Sequence, residues 1–155
     1  MTTNLTFLVE PYRSVIPEMS LRYPEHWEEL ALDKSSIPLA PDYAKYNAMA
    51  DAGMLHVVTA RSSGVLVGYF IFVITPGLHY VTTRMALYDI FYLRKPYRKG
   101  YNGMRFIQFA ETSLREAGVD KMYVGVKLNN DFGKVFERLG FTPAERIYIK
   151  LLKEA

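Results

Sequence analysis

Between Leu93 and the helix-forming run near Met104 the chain reads Arg94-Lys95-Pro96-Tyr97-Arg98-Lys99-Gly100-Tyr101-Asn102-Gly103. Arg94, Lys95, Arg98, Lys99 and Arg105 bunch within a dozen positions there. Glycines and positive charge ahead of a helix are what a phosphate or pyrophosphate needs. Helix N-terminal N–H groups point at the anion, the helix dipole favours it, and glycine lets the main chain come close. A basic Gly-containing stretch can equally be a plain turn. Two known phosphate motifs are excluded: neither Gly100 nor Gly103 is followed by Lys-Ser or Lys-Thr, and no G-x-G-x-x-G occurs.

A second chemical candidate is Asp89, set in the apolar run Ala86-Leu87-Tyr88-Asp89-Ile90-Phe91. Burial there would raise its pKa toward the range of a general base that takes a proton from an amine. A structural carboxylate bonded to neighbouring backbone or to Arg84 is an equally good account. Of the three histidines, His56 reads as a packing residue, while His79 beside Tyr80 lies on a strand leading toward Asp89. The absence of cysteine excludes disulfides, a thiolate nucleophile and thiolate-held metal. No His/Asp/Glu spacing suggests a metal.

These residues need elements to hold them. Thr6 to Val9 reads as a strand, and Ser14 to Leu32, interrupted by Pro17 and Pro24, as two short helices. A loop covers Lys34 to Pro41, and Asp42 caps a helix that Gly53 ends. The apolar period then changes to two. Strands are expected at Leu55 to Ala60, Val65 to Thr75 and His79 to Leu93, with turns at Ser62-Ser63-Gly64 and Pro76-Gly77. Ile107, Ala110, Leu114 and Ala117 mark one helix face, stopped by Gly118. A strand at Lys121 to Lys127, a short helix through Phe132, Val135, Phe136 and Leu139, and a last strand at Glu145 to Leu152 complete the order. Half of the 155 residues are hydrophobic and 14% aromatic, so a packed α/β (α+β) domain over residues 1–155 is expected. No signal peptide or bilayer-length apolar run is visible, and a cytoplasmic protein without a membrane is the expectation. The net charge of +3, with Tyr97 and Tyr101 among basic residues, leaves a nucleic-acid-binding module as the rival class, though not the favoured one.

Arg98 to Gly103 resembles the acyl-CoA pyrophosphate loop, R/Q-x-x-G-x-G/A, of the GNAT superfamily of N-acetyltransferases. Tyr101 stands where the middle glycine belongs and Gly100 lies one residue early. Asn129-Asn130 and Phe136-Glu137-Arg138-Leu139-Gly140-Phe141 resemble a second block of that family. His26-Trp27-x-Glu29, Pro38 to Tyr46 and His79-Tyr80 are similar to small members encoded by phages and prophages; in a phage-encoded protein, cytoplasmic would mean the host cytoplasm. The resemblance implies a mixed, mostly antiparallel twisted sheet of about six to seven strands flanked by about four helices. It implies acetyl-CoA held by Arg98, Lys99, Gly100, Tyr101, Asn102 and Gly103 together with Asn129 and Phe136. The Leu93 amide would hold the thioester carbonyl and Asp89 would be the base for direct attack by a primary amine. Trp27, His79 and Tyr80 would contact the acceptor, a small-molecule or protein amine that the sequence does not identify. Phe136 occupies the position of the usual thiolate-protonating tyrosine and has no proton to give; Tyr148 and Tyr123 are substitutes, and a CoA-binding protein without turnover is the remaining alternative. Position 125, where some members carry a catalytic glutamate, is glycine. Pairing through the last strands would make a homodimer.

Overall fold

The computed structural model describes residues 4–153. β1 (Thr6–Val9) is stopped by Pro11, which instead starts α1 (Tyr12–Ser20). α2 (Tyr23–Leu30) carries Pro24 in its first turn, where the missing N–H has no intrahelical partner to lose. α3 (Tyr43–Asp51) is capped by Asp42, which accepts from the Lys45 amide at 2.9 Å. Three long strands follow, β2 (Leu55–Ser62), β3 (Val65–Gly77) and β4 (Tyr80–Leu93), then α4 (Asn102–Glu116), β5 (Lys121–Tyr123) and α5 (Gly133–Arg138). The sheet runs in the order β1-β2-β3-β4-β5. Every neighbouring pair is antiparallel except β4 and β5, which are parallel.

Alternation along β3 feeds two cores. Phe70, Phe72 and Ile74 face α4 and α5, packing with Phe106, Ile107, Ala110, Leu114 and Phe136. Tyr69 and Ile71 face α1 and α2, packing with Tyr12, Val15, Met19 and Tyr23. α4 sits tightly on its face because Gly68 has no side chain: a Cβ there would lie 2.8 Å from the Tyr92 carbonyl oxygen and 3.2 Å from the Phe106 ring. On the opposite face Arg61 of β2 binds Glu10 and Glu18, each at 2.9 Å, and ties α1 to the sheet.

The class is the expected one, with fewer strands and one more helix. Among the described residues the sheet has five strands and there are five α-helices. The strand expected at Glu145 to Leu152 is absent: the segment joins no ladder, leaving Ile147, Tyr148 and Ile149 67–85% exposed. Alternating β-formers specify a strand only where an edge accepts their hydrogen bonds, and the β5 edge is three residues long. β5 likewise ends at Tyr123 rather than Lys127, because β4 bends away from it.

Candidate active site

That bend is a β-bulge. Ile71 pairs with Ile90 and Phe72 with Tyr88, so Asp89 is the extra residue of β4. Its effect is visible in the packing: Ala86 and Tyr88 belong to the α4 side, whereas Ile90 and Tyr92 belong to the α1 side. Beyond the bulge β4 and β5 part, since their pairing covers only Met85 to Leu87 against Lys121 to Tyr123. Tyr88 fills part of the gap, and a Cβ on Gly125 would come within 2.8 Å of its Cζ. A larger residue at position 125 therefore requires Tyr88 to move.

The gap opens into a cavity of about 510 Å3 walled by β4, the chain after β5, α2 and the loop between α2 and α3. Asp89 lies on its wall and is exposed, correcting the burial expected from its apolar neighbours; a bulge residue need not follow the alternation of its strand. Arg84 is not its partner, since the Arg84 guanidinium donates to the Ala117 carbonyl at 2.8 Å. The Tyr46 hydroxyl of α3 donates to Asp89 Oδ2. Burial, followed by that bond, pushes the Tyr46 phenol above its ordinary range, so Tyr46 stays a donor. Tyr12 stacks on Tyr46 with ring centroids 5.3 Å apart, and burial drives its own phenol up to about 12. Asp89 is thus a carboxylate held by a packed phenol.

The basic loop lies at the far end of β4. Arg94 N donates to Val67 O at 2.9 Å, so by antiparallel alternation the Phe91 and Leu93 amides point away from β3, toward the gap. Gly100 has φ +58, and a Cβ on either Gly100 or Gly103 would have no atom within 4 Å, which leaves open space over the first turn of α4. Exposed Lys99 flanks that space, where a bound anion would meet the N-terminal amides of the helix. Tyr101 is 74% exposed there. Asn102 has a different role: it is 3% exposed and donates to the Tyr97 carbonyl at 3.0 Å, fastening the loop. Arg98 is also committed. Its guanidinium grips Glu29 of α2 at 2.6 and 2.9 Å, donates to the Leu93 carbonyl and lies 5.5 Å from the Tyr92 ring centre. The Arg98 hydrogen bond holds the Glu29 carboxyl below the usual range against its burial.

Trp27 lines the cavity, with Lys34 Nζ 5.5 Å from its ring centre. Asn129 is exposed and off the cavity, whereas its neighbour Asn130 lines it and reaches Glu29 at 3.4 Å. Phe136 is 5% exposed, in an aromatic cluster with Phe91, Phe132 and Phe141; it is a core residue rather than part of the cavity wall. His79 and Tyr80 are corrected too. They sit at the β3–β4 hairpin tip, nine or more strand residues and so about 30 Å from Asp89, and do not line the cavity. His56 packs as expected, 2.8 Å from the Ser113 hydroxyl. Tyr148 is 85% exposed on the unpaired C-terminal segment.

Tyr88 and Lys127 were not singled out by type or spacing, and Glu29 and Tyr46 stood only in stretches similar to phage-encoded family members, with no role of their own. Tyr46 alone carried a local signal: it lies four residues after the Asp42 cap, in the first turns of a helix that follows a proline-rich loop.

Residues 13–141 match the acetyltransferase (GNAT) family. No match was found among curated proteins. Among solved structures, the chain resembles a ribosomal-protein-alanine N-acetyltransferase from Brucella melitensis biovar Abortus 2308, at 17% identity and TM-score 0.74 over 97% of this chain and 99% of that one. An aminoglycoside acetyltransferase from an uncultured soil metagenomic sample aligns at 12% identity and TM-score 0.70, over 97% and 96% of the two chains. A predicted acetyltransferase with acetyl-CoA from Clostridium acetobutylicum aligns at 15% identity and TM-score 0.65, over 96% of each. At these identities the likeness concerns the fold.

Proposed function

Because this chain belongs to the acetyltransferase (GNAT) family, we propose that it moves the acetyl group of acetyl-CoA to a primary amine by direct attack, with Asp89 collecting the amine's proton. The observation that carries this reading is the bulge, which turns one carboxylate into the cavity at the point where β4 and β5 part. Acetyl-CoA supplies an activated thioester. Lys99 and the first amides of α4 bind its pyrophosphate, with Gly100 and Gly103 leaving the space, and the Leu93 amide, directed into the gap, donates to the carbonyl oxygen as charge develops on it. Asp89, steadied by Tyr46, takes the proton that the ammonium must lose before its nitrogen attacks the thioester carbonyl. The thiolate is released and needs a proton in turn. Tyr88, whose ring lies against Gly125 inside the gap, is the phenol placed to provide it, the part that Phe136 lacks the chemistry to play.

The resemblance of His26-Trp27-x-Glu29, Pro38 to Tyr46 and His79-Tyr80 to stretches of small phage and prophage acetyltransferases is the ground on which we propose that the protein is one of those members, acting in a host cytoplasm. No helix among the described residues is long and apolar enough to cross a membrane. The exposed Ile147 to Ile149 segment favours a second copy of the chain as partner, since alternating β-formers left outside a sheet are stabilised by an edge on another molecule.

The test is release of free CoA from acetyl-CoA over a panel of amines, with wild type and Asp89→Asn compared at equal cofactor saturation. Loss of general-base help lowers kcat by about 100-fold or more. Undiminished turnover in the variant removes Asp89 as the base. Cofactor binding with no thiol release from any amine leaves a CoA-binding protein without turnover.

A further inference from the structure

Asp89 and Tyr46 stand in a cavity wall whose greater part is apolar, with Trp27 and Leu30 of α2 and the loop that carries Ile37, Pro38, Leu39, Ala40 and Pro41 contributing much of it. Five consecutive apolar residues in an irregular surface loop are unusual, because such segments are ordinarily polar. Ile37 and Leu39 are 47% and 41% exposed, so the loop does not spend this surface on the core. It is spent on the cavity.

The charges are equally restrictive. Two aspartates line the cavity, but Asp42 Oδ1 is bound to the Lys45 amide as the cap of α3. Glu29 is held by Arg98. Lys127 contributes a positive charge to the wall near Asn130. Asp42 is engaged by the N-terminus of α3, and Asp89 is the carboxylate set where β4 and β5 part, so an ammonium at the reacting position meets Asp89. A second positive charge on the acceptor would have the capped Asp42, Lys127 and apolar side chains to face, a poor exchange for its water.

From this juxtaposition we propose that the acceptor is a small monocationic primary amine whose body is apolar or aromatic, its ammonium at Asp89 and its body between Trp27 and the loop from Ile37 to Pro41. The proposal rests on the transfer reading above and narrows it. Polyamines and aminoglycosides carry charges that this cavity cannot match. A peptide N-terminus carries backbone amides that the Leu30, Ile37 and Leu39 side chains cannot hydrogen-bond, so their burial there is unfavourable. The body instead gains by leaving water against these side chains, in proportion to the apolar area covered.

The experiment measures kcat/KM for 2-phenylethylamine, hexylamine, spermidine, kanamycin and a tetrapeptide beginning with leucine. In parallel, 2-phenylethylamine is titrated calorimetrically into the protein with and without CoA, and acetyl-CoA binding is measured separately. The two apolar amines are expected to exceed the polycations and the peptide by tenfold or more, in line with the discrimination available to an apolar pocket of about 10–200-fold. Leu39→Asp, on an exposed loop, is expected to lower kcat/KM for 2-phenylethylamine by about tenfold while leaving acetyl-CoA affinity unchanged. Equal or better turnover of spermidine, kanamycin or the peptide overturns the assignment while transfer itself stands. Titrations showing no 2-phenylethylamine binding overturn it as well, whatever the turnover. Failure to bind acetyl-CoA refutes the transfer reading instead, and the amine titration without CoA still decides the fate of the pocket.

Discussion

Arg98 is the position at which loop chemistry and tertiary structure make different demands, and replacing it separates them. In Arg98→Ala the Glu29 carboxylate, whose side chain is only 12% exposed, loses both bonds at 2.6 and 2.9 Å. Breaking a fully buried ion pair costs about 3–5 kcal/mol and an exposed one at most about 1 kcal/mol. With the Arg98 side chain 33% exposed the pair lies between these limits, so about 2 kcal/mol is expected. For a chain of this size that is a fall in Tm of roughly 4–8 °C without ligand. Adding Glu29→Gln to Arg98→Ala should recover most of it, because the side chain left behind no longer carries an unpaired charge. Lys99→Ala should behave in the opposite way. Lys99 is exposed, so stability should stay within about 0.5 kcal/mol of wild type. Loss of a charge-assisted phosphate contact should instead weaken acetyl-CoA by about tenfold or more. The assays are thermal unfolding of wild type, the single variants and the double variant, with calorimetric titration of acetyl-CoA into each. An Arg98→Ala protein that melts with wild type, or a double variant whose losses simply add, would refute the tether and return Arg98 to the role of a free phosphate ligand.

Burial holds the His26 imidazole, which accepts or donates at 3.0 Å to the Tyr69 hydroxyl and stacks on Tyr92, down to about 4 from 6.5. The unfolded chain then protonates first, so stability is lost as pH falls from about 6.5 to about 4, by up to about 3 kcal/mol. His26→Phe should flatten that part of a denaturation-versus-pH curve, and an unchanged slope refutes the assignment; His56, lowered by burial and by Arg84, keeps a residual slope. Tyr46→Phe removes the donor to Asp89 and should lower kcat/KM about tenfold with acetyl-CoA affinity intact, whereas equal activity would show that the phenol does not position the carboxylate. Tyr88→Phe should lower kcat by about tenfold or more if its phenol returns the proton, and single-turnover thiol release checks it. Phe136→Ala should cost about 3–4 kcal/mol in chemical unfolding, as befits a packed core side chain; a cost below about 1 kcal/mol contradicts its burial.

Much of the fold was legible because its signals are local. Asp42 starts a helix through chemistry confined to one turn, and the Ile107, Ala110, Leu114 spacing marks a buried helix face wherever that helix lies; Pro24, expected to interrupt a helical run, instead sits in the first turn of α2. The basic Gly-containing stretch before α4 was legible for the same reason, since glycine, charge and a helix start are contiguous in the chain. Asp89 could be named from its neighbours but not understood from them. Alternation predicts burial, and only the mismatch of one residue between β3 and β4 turns it into the cavity. His79 and Tyr80 show the converse: near Asp89 in the strand, they end at the far tip of a long hairpin because a strand carries its residues apart by about 3.3 Å each.

The sequence by itself thus determined the class and the order of elements as far as α5, which depend largely on contacts within a few residues. Tertiary structure decided which charges remain free. Arg98 is tied to Glu29, 69 positions away, Asp89 is held by Tyr46, 43 positions away, and the alternating segment near Ile147 finds no edge to pair with. Charge pairing and strand pairing depend on what the folded chain brings alongside, and one residue's neighbours in sequence do not contain that information.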